Sequence, residues 1–202
     1  MPLVIDRAEL ERALPIGSVN KLSTGWWGVW TLIVTESALF GYLLFSYYYL
    51  ILQTPEHWPP EGKPRLFWSS LNTVILLSSS VFVWAGERFL RRRRRPLSLV
   101  ALAVAIVLGA IFIGIQLMEW RDKGYGIASN LYGSLYYTIT GFHLIHVAVG
   151  LVILSLLLLW TALGYFDEKR YATLTIGSLY WHFVDVVWLF IFSTFFLVPY
   201  LQ

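Results

Sequence analysis

From Trp26 onward the chain alternates long uncharged stretches with short polar connections. A helix needs about 20 mostly apolar residues to cross a hydrocarbon layer about 30 Å thick. Five segments reach that length: Trp26 to Leu52, interrupted only by Glu36; Leu66 to Gly86; Leu97 to Met118; a span within Leu131 to Tyr165; and Gly177 to Leu201, which holds one Asp and one His. Backbone polar groups cannot go unpaired in lipid, and barrel strands would alternate over about 10 residues, so these continuous runs predict helices. The expected fold is all-α, a polytopic membrane protein built as a five-helix bundle.

The connections carry breaker chemistry. Gln53 to Arg65 holds Pro55, Pro59, Pro60, Gly62 and Pro64; Arg91 to Arg95 is a run of five arginines closed by Pro96. Trp120 to Asn130 contains Gly124 and Gly126, and Phe166 to Thr175 contains Asp167, Glu168, Lys169 and Arg170. Residues 1–24 mix charge with short apolar runs and read as a cytoplasmic N-terminal arm, not as a cleaved leader. Residues 25–202 read as one membrane domain.

Composition narrows the class. Of 202 residues, 57% are hydrophobic and 13% charged, against about 25% charged in soluble domains. Ten Trp, 12 Tyr and 13 Phe suit the two headgroup belts of a multi-span protein. The absence of Cys excludes disulfides, thiolate catalysis, iron–sulfur clusters, covalently attached haem and thiolate-bridged copper. A net charge of +3 is too small to point to nucleic acid. The 15 Lys and Arg divide unevenly: eleven fall in the arm and the second and fourth connections, four in the first and third. That asymmetry predicts an N-terminus inside and a C-terminus outside. Arg88 and Arg91, Arg92, Arg93, Arg94 and Arg95 form an inner cluster, topogenic first and also suited to anionic lipid headgroups.

The ionisable residues within spans carry the candidate chemistry. Glu36 lies about ten residues into its span, roughly 15 Å deep. An ionised carboxylate there costs at least ~2.5 kcal/mol, so it should hold its proton or find a donor. His143 and His146, and His182 and Asp185, are each spaced i, i+3 and share a helix face. Depth counting pairs Glu36 with His143 and Asp185 with His146, leaving His182 nearer the inner surface. Haem ligation would need His residues facing across a gap, whereas two of the three sit on one face. A proton relay has no continuous ladder in five residues. The expected role is interhelical hydrogen bonding, worth around 0.6 kcal/mol per contact. Glu87, Glu119 and His57 fall in other layers, which argues against a metal site.

Several strings point to a family. The fifth span reads YWHFVDVVWLFIF from Tyr180 to Phe192, and the fourth YGSLYYTITGFHLIHVAVG from Tyr132 to Gly150. The first carries WWGVWTLIVTESALF from Trp26 to Phe40, followed by HWPPEG, SLNT at Ser70 to Thr73, and Gln116 with Glu119 as QxxE. Together they resemble subunit III of the haem–copper cytochrome oxidases, from about Gly25 to the C-terminus. The resemblance implies a subunit without haem or copper of its own. It would pack against the catalytic subunit I, beside copper-binding subunit II, in a bacterial cytoplasmic membrane. It would bind phospholipid and help keep proton uptake and turnover stable. Glu36 would correspond to the family's carbodiimide-reactive carboxyl. Many members have seven spans, and this chain begins where their third helix would, so lipid sites on the first two helices do not carry over. The same role in a quinol oxidase or beside a nitric oxide reductase is the nearest alternative. A stand-alone haem cytochrome would require cross-helix His pairs. A proton-coupled transporter would show broken spans or a repeat.

Overall fold

The computed structural model describes residues 24–53, 58–60, 62–64, 66–166 and 172–201. The arm up to residue 23, His57, and the charged connection at 167–171 lie outside the described residues. Five long helices follow in order: α1 (Thr24–Gln53), α2 (Leu66–Arg91), α3 (Arg95–Arg121), α4 (Leu131–Leu163) and α5 (Ala172–Phe192). The last runs through a π-helical turn (Ser193–Leu197) into a final α-helical turn (Val198–Leu201). All five are long and apolar enough to span a bilayer, and no strand occurs among the described residues.

Every helix but α4 outruns its apolar segment. α2 continues past Gly86 through Glu87, Arg88 and Arg91; α3 starts at Arg95 and ends at Arg121; α5 begins at Ala172 rather than Gly177. The apolar count stops at the first charge, but the backbone gains from staying hydrogen-bonded until it is well into the headgroup layer, where long basic side chains reach water. Termination has local causes. Asn130 caps α4 by accepting from the Gly133 amide at 2.6 Å. Gly164, at φ 86°, ends it in the left-handed conformation that glycine adopts without steric cost.

α2 and α3 form a hairpin closed by the arginine turn, and α5 occupies the centre, packed on α1, α2 and α4. Trp181 explains the close packing there. Its indole lies in a slot left by Gly109 of α3 and Gly150 of α4: a Cβ at either glycine would fall 2.8 or 2.7 Å from the ring. The ring Nε1–H donates to Ser79 Oγ of α2 at 3.0 Å, so one side chain joins four helices. The aromatics are not confined to two belts, as composition suggests. Trp181, Trp188, Tyr47 and Tyr136 are wholly buried. On the side opposite the arginines, Tyr47, Trp58, Tyr132 and Phe195 pack edge to face, with centroids 4.8 to 5.9 Å apart for the closest pairs. That geometry suits the ring quadrupoles and closes the end of the bundle.

Candidate functional site: the intramembrane polar groups

Glu36 on α1 meets His146 on α4, with Oε2 3.1 Å from Nε2. The second ring nitrogen, Nδ1, lies 2.7 Å from the carbonyl of Phe142. A carbonyl only accepts, so Nδ1 carries a proton. Nε2 then either accepts from a protonated Glu36 or, protonated itself, donates to the carboxylate. In both cases the pair holds one shared proton and no net charge. Its side chains are 25% and 15% exposed, so the pair lies at the bundle surface rather than in the core. Tyr180 of α5 donates to the carbonyl of His146 at 3.3 Å.

This corrects the expected pairing of Glu36 with His143. Glu36 lies twelve residues after the start of α1, about 18 Å along it, whereas His146 lies seventeen before the end of α4, about 26 Å. The extra reach of α4 shifts the register by more than one turn, which span counting did not detect. His143 instead points into the core. It stacks on Trp188 at 5.0 Å and meets the edges of Phe112 at 5.9 Å and Phe40 at 6.4 Å. Neither of its nitrogens has a hydrogen-bond partner among the described residues.

Asp185 does not meet His146 either. His182 and Asp185 share the face of α5 turned to α2, as their spacing requires, and both converge on Ser80. The Ser80 hydroxyl donates to Asp185 Oδ2 and lies 2.8 Å from His182 Nδ1. His146 is already committed to α1, on another side of the bundle, so equal depth did not mean contact. Ser80 belongs to a longer polar seam between α2 and α5. Thr73 accepts from Trp188 Nε1 at 2.9 Å, and Glu87 accepts from Thr175 at 2.8 Å. Moving from Glu87 to Thr73 on α2 corresponds to moving from Thr175 to Trp188 on α5, as antiparallel helices demand. Thr73, Ser80 and Glu87 recur every seven residues, the period at which one face of a helix returns to its neighbour. That spacing was the available sequence signal for Ser80.

A second hub ties the opposite ends of the helices. Glu119 of α3 accepts from Ser69 of α2 at 3.1 Å and from Tyr136 of α4 at 3.3 Å, and pairs with Lys123 at 3.4 Å. The Lys123 ammonium lies 4.8 Å over the Tyr136 ring, and Gln116 donates to the Tyr136 hydroxyl at 3.3 Å. The QxxE spacing therefore places both side chains on one tyrosine.

On the arginine side, Arg88, Arg91, Arg92, Arg93 and Arg94 are exposed. Arg91 pairs with Glu87 at 2.5 Å. Arg95 is turned inward: its Nε donates to the Thr161 carbonyl at 2.7 Å and Nη2 to Ala162. These are orphan acceptors of the last turn of α4, where a cation is also favoured by the helix dipole. Among the described residues, no three His, Asp or Glu side chains gather as a metal site requires.

The family described as Cytochrome c oxidase subunit III matches residues 18–200 of the chain. The chain belongs to the cytochrome c oxidase subunit III family. It is 33% identical over 169 residues to cytochrome c oxidase subunit 3 of Thermostichus vulcanus, covering 82% of this chain and 83% of that protein. Its identity to the Synechocystis counterpart is 35% over 170 residues, covering 82% and 72%. With that of Danio rerio it is 36% over 169 residues, covering 80% of this chain but 65% of the fish protein. The chain thus spans about two thirds of the vertebrate relative's length. As a subunit III of a haem–copper oxidase it is a multi-pass membrane protein of a multi-subunit complex.

Proposed function

We propose that this chain is a non-catalytic scaffold subunit of a cytochrome c oxidase in a bacterial cytoplasmic membrane. It packs beside a haem- and copper-bearing catalytic subunit I and a copper-binding subunit II, and supports their stability and proton uptake. The observation that carries this reading is the use of the intramembrane polar groups. Glu36 with His146, and Asp185 with Ser80 and His182, are joined across helices, where their main effect is to fix packing. The Thermostichus vulcanus and Synechocystis relatives, both called subunit 3 of that oxidase, support the partner assignment.

The exposed arginines 88 and 91–94 are placed inside, where they set topology and hold anionic phospholipid headgroups. Arg95, although in the same run, acts as the cap of α4. The N-terminus is likewise placed inside, residues 1–24 form a cytoplasmic arm, and residues 25–202 form the membrane domain.

Mild solubilisation of native membranes, followed by identification of co-purifying chains and an optical spectrum of the isolated subunit, tests the reading. The expected result is co-purification with a large haem-bearing chain and a copper-binding chain, with no haem absorbance in the isolated subunit. Haem absorbance in the isolated chain, or recovery without those partners, would overturn it.

A further inference from the structure

Tyr136 of α4 is fully buried, and its hydroxyl lies between a base and a donor. It donates to Glu119 Oε1 of α3 at 3.3 Å and accepts from Gln116 Nε2 at 3.3 Å. Packing alone does not require a carboxylate there. Tyr137 and Tyr200 donate to backbone carbonyls, which satisfy a phenol but do not take its proton. A phenol gives up an electron readily only when its proton leaves in the same step, because the phenol cation radical is a very strong acid. The Lys123 ammonium, 4.8 Å over the Tyr136 ring, enforces that coupling, since it opposes a second positive charge on the ring.

The ring is also in contact with others that can be oxidised. Tyr132 stacks on it at 6.4 Å, with 14° between the planes. Trp58 lies 5.5 Å from Tyr132, Tyr47 5.7 Å from Trp58, and Tyr48 5.5 Å from Tyr47. Tyr47 and Tyr132 are buried, whereas Tyr48 is 40% exposed. A series of Tyr and Trp rings thus leads from the enclosed Tyr136 to the surface of the bundle. Phe195 packs among them, but a phenyl ring is too hard to oxidise to take part.

We infer that Tyr136 is a redox-active tyrosine, the resting place of an electron vacancy that enters at Tyr48 and passes through Tyr47, Trp58 and Tyr132. The oxidant belongs to the class shed by oxygen reduction, such as hydroxyl radical, which takes one electron and becomes hydroxide. Tyr136 supplies that electron and transfers its phenolic proton to Glu119, leaving a neutral tyrosyl radical and a protonated carboxyl. A reductant of the thiol or ascorbate class, itself oxidised by one electron, refills the vacancy through the same rings, and the proton returns from Glu119 to the phenolic oxygen. The relay consumes the oxidant before it attacks backbone or lipid. It uses the tyrosine geometry and not the assignment of partner subunits, so a negative result leaves the scaffold role standing.

The test is flash photolysis of the full chain in detergent with a ruthenium polypyridyl photo-oxidant and a sacrificial electron acceptor, read by freeze-quench electron paramagnetic resonance. The unaltered chain should give a neutral tyrosyl radical that outlives those on exposed tyrosines, because an enclosed ring cannot couple with a second chain. Its formation should be slower in deuterated water. Tyr136→Phe should abolish the long-lived signal. Glu119→Gln keeps the shape but removes the proton acceptor, and should slow formation about a hundredfold, the lower end for a positioned base. Tyr165→Phe, 66% exposed on the arginine side, should change nothing. Circular dichroism verifies that the variants fold, and the signal of the unaltered chain decides the matter without them. Absence of a long-lived radical in that chain, its persistence in Tyr136→Phe, or an unchanged rate in Glu119→Gln would overturn the proposal.

Discussion

Ser80 has one hydroxyl proton and two lone pairs, enough to donate to Asp185 while accepting from His182. Ser80→Ala leaves both partners without that oxygen in a setting where water is scarce, and Asp185 Oδ1 already lacks a partner among the described residues. The substitution is expected to destabilise the subunit by about 1–2 kcal/mol, near the upper end for cross-helix polar contacts. Ser80→Thr, which keeps the hydroxyl, should recover most of the loss. Thermal unfolding in detergent reads the effect, and an unchanged midpoint for Ser80→Ala would contradict the role given to the hydroxyl. The sequence made Glu36, His143, His146, His182 and Asp185 visible because charge in a span is costly. It made Ser80 nearly invisible, because a serine in a membrane helix can return its hydroxyl to its own backbone, as Ser78 does to Val74.

At the scale of the helix, glycines set how near the axes approach. Gly150 lies against Trp181: a Cβ there would fall 2.7 Å from Cε3, so even one methyl group requires the indole or α4 to move. Gly150→Ala should cost about 1–3 kcal/mol through overpacking. Pairing it with Trp181→Phe should recover part of that cost by freeing space, despite loss of the bond to Ser79. Unfolding midpoints of the single and double variants measure this, and additive losses would contradict the slot. The five spans were legible from sequence because hydrocarbon thickness imposes a length that few other constraints imitate. The π-helical turn at Ser193–Leu197 was not, since STFFL is as apolar as its surroundings. Its partner contact, Thr194 to the Tyr48 hydroxyl at 3.0 Å, depends on tertiary placement. The pairings of Glu36 and Asp185 failed for a related reason: rise along an axis gives depth, while contact also requires azimuth and relative helix offset.

Across the whole molecule, the proposed orientation places the arginine turn inside and the α3–α4 connection outside. The absence of native Cys gives a clean background for single-cysteine labelling. Ile127→Cys, at a 58% exposed position, should react with a membrane-impermeant maleimide in intact cells. Arg92→Cys should react only after permeabilisation; the reverse pattern would invert the topology. The lateral placement of α1 also bears on energetics. Its Glu36 and the His146 of α4 divide one proton across 3.1 Å, about a tenth of the ~30 Å hydrocarbon layer. A voltage of 100 mV does about 2.3 kcal/mol of work on a charge crossing the full layer. Transfer of the proton between these two atoms therefore gains or loses at most about 0.2 kcal/mol, less than thermal energy. The pair is electrically silent: charging or discharging the membrane leaves the proton where local chemistry puts it.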